Sequence, residues 1–427
     1  MSEAVNIPQL RFPEFREEWK IVKLTDIVDV MTDYVAAGSF ESLRNNVTVY
    51  DKPNYAIYLR LTDLRKGIYH KDLKYVDRSS YDFLNKSNLC GGEILMANIG
   101  ANVGDTYLMP VIDDFATIAP NMIVIKENRL EFLSAFLFYW LNTRKGEKSI
   151  NTAISGSGQP KINKTDLKQI KISLTSQLEQ AKIASFLTAV DNKIEQLSKK
   201  QELLGEYKKG LMQQIFSQAI RFKANDGSDF PDWEEKKLGD LSVVISDGNY
   251  GELYPTSSDF KLTGVPFLRA NNIKSLKIDG TDTKYITEEQ HSLLTSGHLQ
   301  TNDILITTRG VLGNLAIVES THNGSNINAQ ICLLRVTNTS ELNHFYLLFV
   351  LDHRDSKKQY KAFETGTALK QLPKGNLRKI KLKLPTLFEQ NKIANFLSSI
   401  DTKIEQVDKQ LDESKQFKKA LLQQMFV

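Results

Sequence analysis

The chain has 427 residues, 41% of them hydrophobic and 25% charged, which is ordinary for a globular protein and enough for more than one buried core. No apolar run approaches the length of a bilayer span, and the opening MSEAVNIPQL has no basic segment followed by an apolar one, so a cytoplasmic location is expected. A net charge of +4 permits nucleic-acid binding without demanding it, and the two cysteines, Cys90 and Cys332, have no C-x-x-C partner, which argues against structural zinc.

In chain order, LRFPEFREEWKIVKLTDI (residues 10–27) opens a first globule. Short apolar runs cut by turn signals follow, GGEILMANIG (91–100) and NMIVIKE (121–127), and read as strands. EFLSAFLFYWLNTRK (131–145) reads as an amphipathic helix. Beyond residue 178, apolar residues fall at Ile183, Leu187, Val190, Ile194, Leu197, Leu204, Leu211 and Ile215, in steps of four and three that make a heptad seam. IRFKANDGSDFPDWEEKKLGDL (220–241) then opens a second globule, with strand-like NDILITTRG, GNLAIVES and AQICLLRV and a helix in LNHFYLLFVLDHRDSKK (342–358). A second seam runs through Ile393, Leu397, Ile400, Ile404, Val407, Leu411, Leu421 and Met425. Pro385 stands just ahead of it, where proline is compatible with a helix start and not with a helix running through.

The two halves are copies. Shifted by 210, residues 178–216 align with 388–426 without a gap, and 19 of 39 positions are identical. YLRLTDL (58–64) echoes FLRANNI (267–273), GEILMANIGANVG (92–104) echoes NDILITTRGVLG (302–313), and SGSGQPKINKTDLKQIKI (155–172) echoes TGTALKQLPKGNLRKIKL (365–382). A period this long is duplication of a whole domain plus helix, since solenoid repeats are far shorter. The expected class is mixed α/β (α+β): a first globule over 1–175, a helix over 176–219, a second globule over 220–386 and a helix over 387–427. The helices repeat closely and the globules only in scattered motifs, which suggests one shared task and two distinct ones.

About 40 helical residues make a rod of roughly 60 Å. Each helix could pack on its own globule, but strict heptads favour pairing of the two, and a duplicated unit pairs most simply with pseudo-two-fold symmetry, hence antiparallel. Gly205 and Gly210 each cost about 1 kcal/mol against alanine and would soften the first rod. The seams are flawed in complementary places. Gln201 (an a-type position) and Ser414 (d-type) can share one antiparallel layer and leave Leu204 to meet Leu411, and this register is expected. A shift of one heptad sets Gln201 against Val407 and buries an amide with no obvious partner.

No phosphate cradle, adenine-methyltransferase box or nucleophile–base pair occurs, and the six histidines lack metal spacing, so neither catalytic residues nor a metal site is expected. Pro231, Asp232, Glu235 and Lys237 imitate a nuclease motif, but the carboxylates are too close in sequence to converge from separate strands. The loops instead carry side chains that reach base edges and phosphates. The candidate DNA-binding residues are Arg60, Asn98, Asn102, Gln159 and Lys161 in the first globule, and Asn249, Tyr250, Arg269, Thr308, Arg309, Lys370 and Gln371 in the second. For Arg60 and Arg269, inside the repeated "LR", a scaffold ion pair is the competing reading.

FREEWKIVKLTDI and PDWEEKKLGDL, the repeated EQAKIASFLTAVDNKIE and EQNKIANFLSSIDTKIE, and the GEIL and NDIL motifs together resemble the specificity subunit of type I restriction-modification systems. The resemblance spans essentially the whole chain. It implies two target-recognition domains, each reading half of a split DNA site, with the helices as an antiparallel spacer. It also implies two methyltransferase subunits docked along that spacer, and restriction subunits. S-adenosylmethionine, ATP and magnesium would be used by those partners, and this chain would hold no cofactor. Two readers on a rigid spacer suit half-sites about one DNA turn apart, roughly 34–36 Å. An adaptor that bridges two copies of a protein without DNA is the rival from another class. A fused methyltransferase fragment would need the cofactor motif that is missing.

Overall fold

The computed structural model describes residues 7–67, 70–127, 133–251, 254–367 and 369–427. Glu131 and Phe132, the head of one expected helix, lie outside them. The chain divides into two compact units, Met1–Ser198 with Lys409–Val427, and Lys199–Asp408.

In the first unit a four-stranded antiparallel sheet has the order Val28–Asp33, Met122–Glu127, Ile94–Ala97, Thr106–Leu108. Its two central strands are covered on both faces. Ile94, Met96, Ile123 and Ile125 enter one core with the helices, while Leu95, Met122 and Val124 enter another with the second sheet. Alternate residues serve opposite faces, so a strand buried twice reads as an unbroken apolar run. The second sheet is mixed, in the order Val49–Tyr50, Lys74–Val76, Ala56–Leu59, Phe115–Ile118, Asn88–Leu89, with Ala56–Leu59 parallel to Phe115–Ile118. Lys20–Lys23 pairs with Lys171–Leu174 and ties the entry of the globule to its exit.

The second unit repeats this plan. Its central order is Val243–Asp247, Ile331–Val336, Ile304–Thr307, Leu315–Ile317, again split between two cores. The mixed sheet is reduced to Lys284–Ile286, Val265–Leu268 and Asn326–Ile327, and Glu234–Lys237 pairs with Lys381–Leu384. Glu235 of the nuclease-like stretch sits on that pair and faces Lys381 at 2.8 Å.

Two expectations need correction here. The single helix expected in each globule is two, Ser134–Leu141 then Arg144–Thr152, and His344–Asp352 then Arg354–Phe363. Thr143 Oγ1 accepts from the Gly146 amide at 3.0 Å and His353 caps its helix likewise, so each chain turns where a capping side chain is available. Gly146 lies so close to the backbone of Trp140 and Leu141 that a Cβ there would overlap it. The first helix of each pair is buried almost all round, and only the second is amphipathic.

The long helices are Gln177–Phe216, of 40 residues, and Leu387–Gln424, of 38. Gly205 and Gly210 lie within unbroken helix. In the first unit Ile183 and Leu187 share a core with Leu421, Met425 and Phe426. In the second, Ile393, Leu397 and Ile400 share one with Met212, Ile215 and Phe216. In both, the start of one helix lies on the end of the other, which is antiparallel pairing. The same residues also pack on their globule: Phe426 meets Trp19 and Phe136, and Phe216 meets Trp233 and Tyr346.

The expected register is overturned. Gln201 Nε2 donates to Asp408 Oδ1 at 2.7 Å, which sets Gln201 at the level of Val407, one heptad from the expected layer. The physical reason is Asp408, a flanking residue that the layer argument left out and that satisfies the half-buried amide.

Candidate nucleic-acid interface

Each globule is fastened to the head of a long helix by the same polar set. Glu179, buried, takes a two-point grip from Arg11 at 2.7 and 2.8 Å, and Arg11 also donates to the Glu17 carbonyl. Glu389, equally buried, takes the same grip from Arg221 at 3.2 and 2.8 Å, with the Pro231 carbonyl in place of Glu17. Hydrogen bonding to these carboxylates raises the pKa of both arginines. The neighbouring amides act alike. Gln180 donates to the Thr175 carbonyl and accepts from the Leu133 amide, as Gln390 does with Pro385 and Asn343. These residues were missed in the sequence, although the repeat marks them: the arginine, glutamate and glutamine each lie 210 positions from their twin.

At one end of each central sheet the loops close into a rim. In the second unit, the loop after Ile304–Thr307 bridges the 365–371 loop: Arg309 pairs with Gln371, the Gly310 amide donates to the Lys370 carbonyl at 3.3 Å, and the Leu372 amide donates to that of Thr308 at 2.8 Å. The first unit makes the same bridge from Ile99 to Lys161, with Gly100 on Pro160 and Ile162 on Asn98, at 3.0 and 2.9 Å. Below each rim a carboxylate on the edge strand holds a lysine, Asp33 to Lys164 at 2.7 Å and Asp247 to Lys374 at 3.1 Å. Matched positions therefore carry Ile99 and Arg309, Pro160 and Lys370, Lys161 and Gln371. The fastenings agree and the side chains at the matched positions differ.

The candidate residues fall into two groups. Asn98, Asn102, Gln159 and Lys161 lie on the first rim, Asn98 buried with its side-chain oxygen without a partner and the other three exposed. Tyr250, Thr308, Arg309, Lys370 and Gln371 lie on the second. Thr308 is buried against the Gln330 carbonyl, and Lys370 pairs with Glu364 at 2.6 Å. Asn249, also buried, is a clamp behind the rim, joined to Ser296 and Asn326 at 2.6 and 2.9 Å. Arg60 and Arg269 are elsewhere. Arg60 grips buried Asp63 at 2.9 and 2.7 Å and reaches the Asp72 carbonyl, while Asp63 accepts from the Arg60 amide. Burial pushes the Asp63 carboxyl up, but Arg60 and His70 outweigh it and hold it below the usual carboxylate range. Arg269 binds Asp282 at 2.7 Å, and Asn272 accepts from its amide as Asp63 does from Arg60. Both guanidiniums are engaged in ion pairs within their own globule, the competing reading given for them from the sequence.

Among the described residues no group of three or more His, Cys, Asp or Glu could hold a metal ion, and no helix is long and apolar enough to cross a membrane.

Two copies of one globule, each with a loop rim at the same end of its central sheet and each fastened to a long helix, define a duplicated recognition scaffold. A sequence model of the type I restriction modification DNA specificity domain matches residues 16–204 and again 231–414, so the chain belongs to that family, whose work is recognition of DNA sequence. It is 27% identical over 441 residues to a putative type I restriction enzyme MjaX specificity subunit of Methanocaldococcus jannaschii, covering 98% of this chain and 95% of that one. It is 25% identical over 422 residues to the MjaVIII specificity subunit of the same organism, covering 97% and 92%. Its fold is similar to that of the type I restriction-modification S subunit from M. genitalium, with a TM-score of 0.64 at 18% identity and 99% of each chain covered. A chain from a structure on complex assembly and conformational transition of the type I system gives 0.52 at 18% identity, covering 95% and 96%.

Proposed function

We propose that this chain is the non-catalytic recognition subunit of a type I restriction-modification complex, in which each globule reads one half of a two-part, asymmetric DNA site. The observation that carries the reading is the pair of rims: the fastenings are the same in both copies, while the side chains at matched rim positions differ. That is the arrangement needed to present two different half-sites to one enzyme. The paired helices set the distance between the half-sites and dock two methyltransferase subunits, and restriction subunits join them. Those partners, not this chain, use S-adenosylmethionine, ATP and magnesium for adenine methylation and cleavage.

The test is an exchange. Residues 1–175 are replaced by the first globule of another family member, and methylation is sequenced genome-wide in cells carrying the partners. One half of the methylated motif changes and the other stays. A motif that changes in both halves together, or methyl transfer by the isolated chain, would overturn the reading.

A further inference from the structure

The sharpest chemical difference between the rims is at one matched position, isoleucine in the first and arginine in the second. We infer that Arg309 reads a guanine in the half-site served by the second globule, and that Tyr250 holds it ready to do so; the inference rests on the reading proposed above. The guanidinium carbon of Arg309 lies 4.9 Å from the centroid of the Tyr250 ring. The ring is itself fixed. Its hydroxyl donates to the Ala329 carbonyl at 3.3 Å, and the residue before it is the buried clamp Asn249. The Arg309 backbone is held by its bridge to Gln371. Tyr250 is nonetheless half exposed, so the stacked pair faces solvent at the rim.

What sets Arg309 apart is that its fork is uncommitted. Arg60 and Arg269 hold carboxylates, and Lys370 holds Glu364. Among the described residues Arg309 makes no ion pair and no side-chain hydrogen bond, which leaves five donors in a rigid plane. A planar fork fits O6 and N7 of guanine two-pronged in the major groove, and a side chain already stacked on an aromatic ring loses less freedom on binding. Ile99, at the matched position, has no donor and cannot read a guanine in the first half-site.

The test uses the full subunit assembled with its methyltransferase partners, methylating a library randomised across the motif. Arg309→Ala should relax a single G·C position, in the half that is unchanged when residues 1–175 are exchanged, with discrimination there falling about ten- to a hundredfold. Arg309→Lys keeps the charge and loses the fork, and should relax the same position. Tyr250→Phe should keep the motif. Tyr250→Ala should relax that position in part and add nothing to Arg309→Ala. An equal loss on all sequences with a shallower salt dependence would make Arg309 a phosphate contact and overturn the inference. So would a two-part motif untouched by Arg309→Ala. A complex that methylates no two-part motif would sink this inference and the proposed function together.

Discussion

Gln201 donates to Asp408 at 2.7 Å, and one heptad further along Lys208 donates to Asp401 at 2.5 Å. These bonds fix which turns of the long helices face each other in the second unit. The first unit has the twin of the second bond, Asp191 with Lys418 at 2.6 Å, since residues 191 and 208 lie 210 positions from 401 and 418. Lys208 also lies over the Phe349 ring and Lys418 over that of Tyr139, another matched pair. Gln201 and Asp408 have no such twin, because the matched residues are Leu411 and Ser198. This polar pair is the asymmetric element of a duplicated seam, and polar layers of this kind specify register.

The register is open to a crosslinking test. In a background without Cys90, cysteines at 201 and 407 should form a disulfide under mild oxidation, and cysteines at 204 and 411 should not. Cys332 can stay, because it is fully buried and burial pushes its thiol up, away from the reactive thiolate. Crosslinking of 204 with 411 would restore the unshifted register.

Asp408→Ala should cost about 1 kcal/mol, since it leaves the Gln201 amide half-buried without its acceptor. Adding Gln201→Leu should recover that loss by making the layer apolar. Urea denaturation of the two variants and the parent checks both signs, and a double variant no more stable than Asp408→Ala would show that the amide was never in need of a partner.

Arg11→Ala and Arg221→Ala should each destabilise their own unit by about 1.5–3 kcal/mol, the range for hydrogen bonds to a charged group, because each removes the two-point grip from a buried glutamate and leaves it the Thr175 hydroxyl or the Trp233 indole N–H. Lysine should rescue poorly, since a single ammonium cannot make the two-pronged grip. Hydrogen exchange should locate the loss at the head of the matching helix, and protection unchanged there would contradict the fastening role.

The duplicated plan was legible because it rests on long patterns. A heptad seam and apolar runs buried on two faces survive any local exception, and the 210-residue shift aligned even the rim bridges. The failures were local. The helix breaks depend on Thr143 and His353 acting as caps, which hydrophobic periodicity does not register. The register depended on Asp408, outside the apolar layers from which it was inferred. For Arg60 and Arg269 the sequence left two readings open, a DNA contact and a scaffold ion pair, because the partners Asp63 and Asp282 come within reach only once the chain has turned.

His353 gives the second unit a dependence on pH. It is buried against the Phe216 ring at the end of the first long helix, and burial lowers its pKa, only partly opposed by Asp355. The folded value is therefore below the unfolded one, near 6.5. The unfolded chain takes up a proton that the folded chain refuses, so stability is complete above about 6.5 and falls as the pH drops towards the folded value. Between pH 7.5 and 5 the parent should lose more melting temperature than His353→Gln. His291 and His344 are also lowered, but they are present in both proteins and cancel. An equal loss in the two would mean that His353 does not titrate in that window.

Arg60 separates scaffold from recognition in the first globule. Its guanidinium makes two bonds to Asp63, which is fully buried and otherwise held by the Arg60 amide and by His70 at 3.0 Å. Removing the guanidinium leaves the carboxylate with those two partners alone. Arg60→Ala should therefore cost about 1.5–3 kcal/mol, the range for hydrogen bonds to a charged group. The methylated motif should not change, because the side chain is turned to Asp63 and the Asp72 carbonyl and belongs to no part of the rim. Asp63→Asn should be destabilising as well and equally silent in the motif. Thermal melts and methylation sequencing of the same variants separate the two effects: a stable Arg60→Ala protein with one relaxed position in the first half-site would place Arg60 on the DNA.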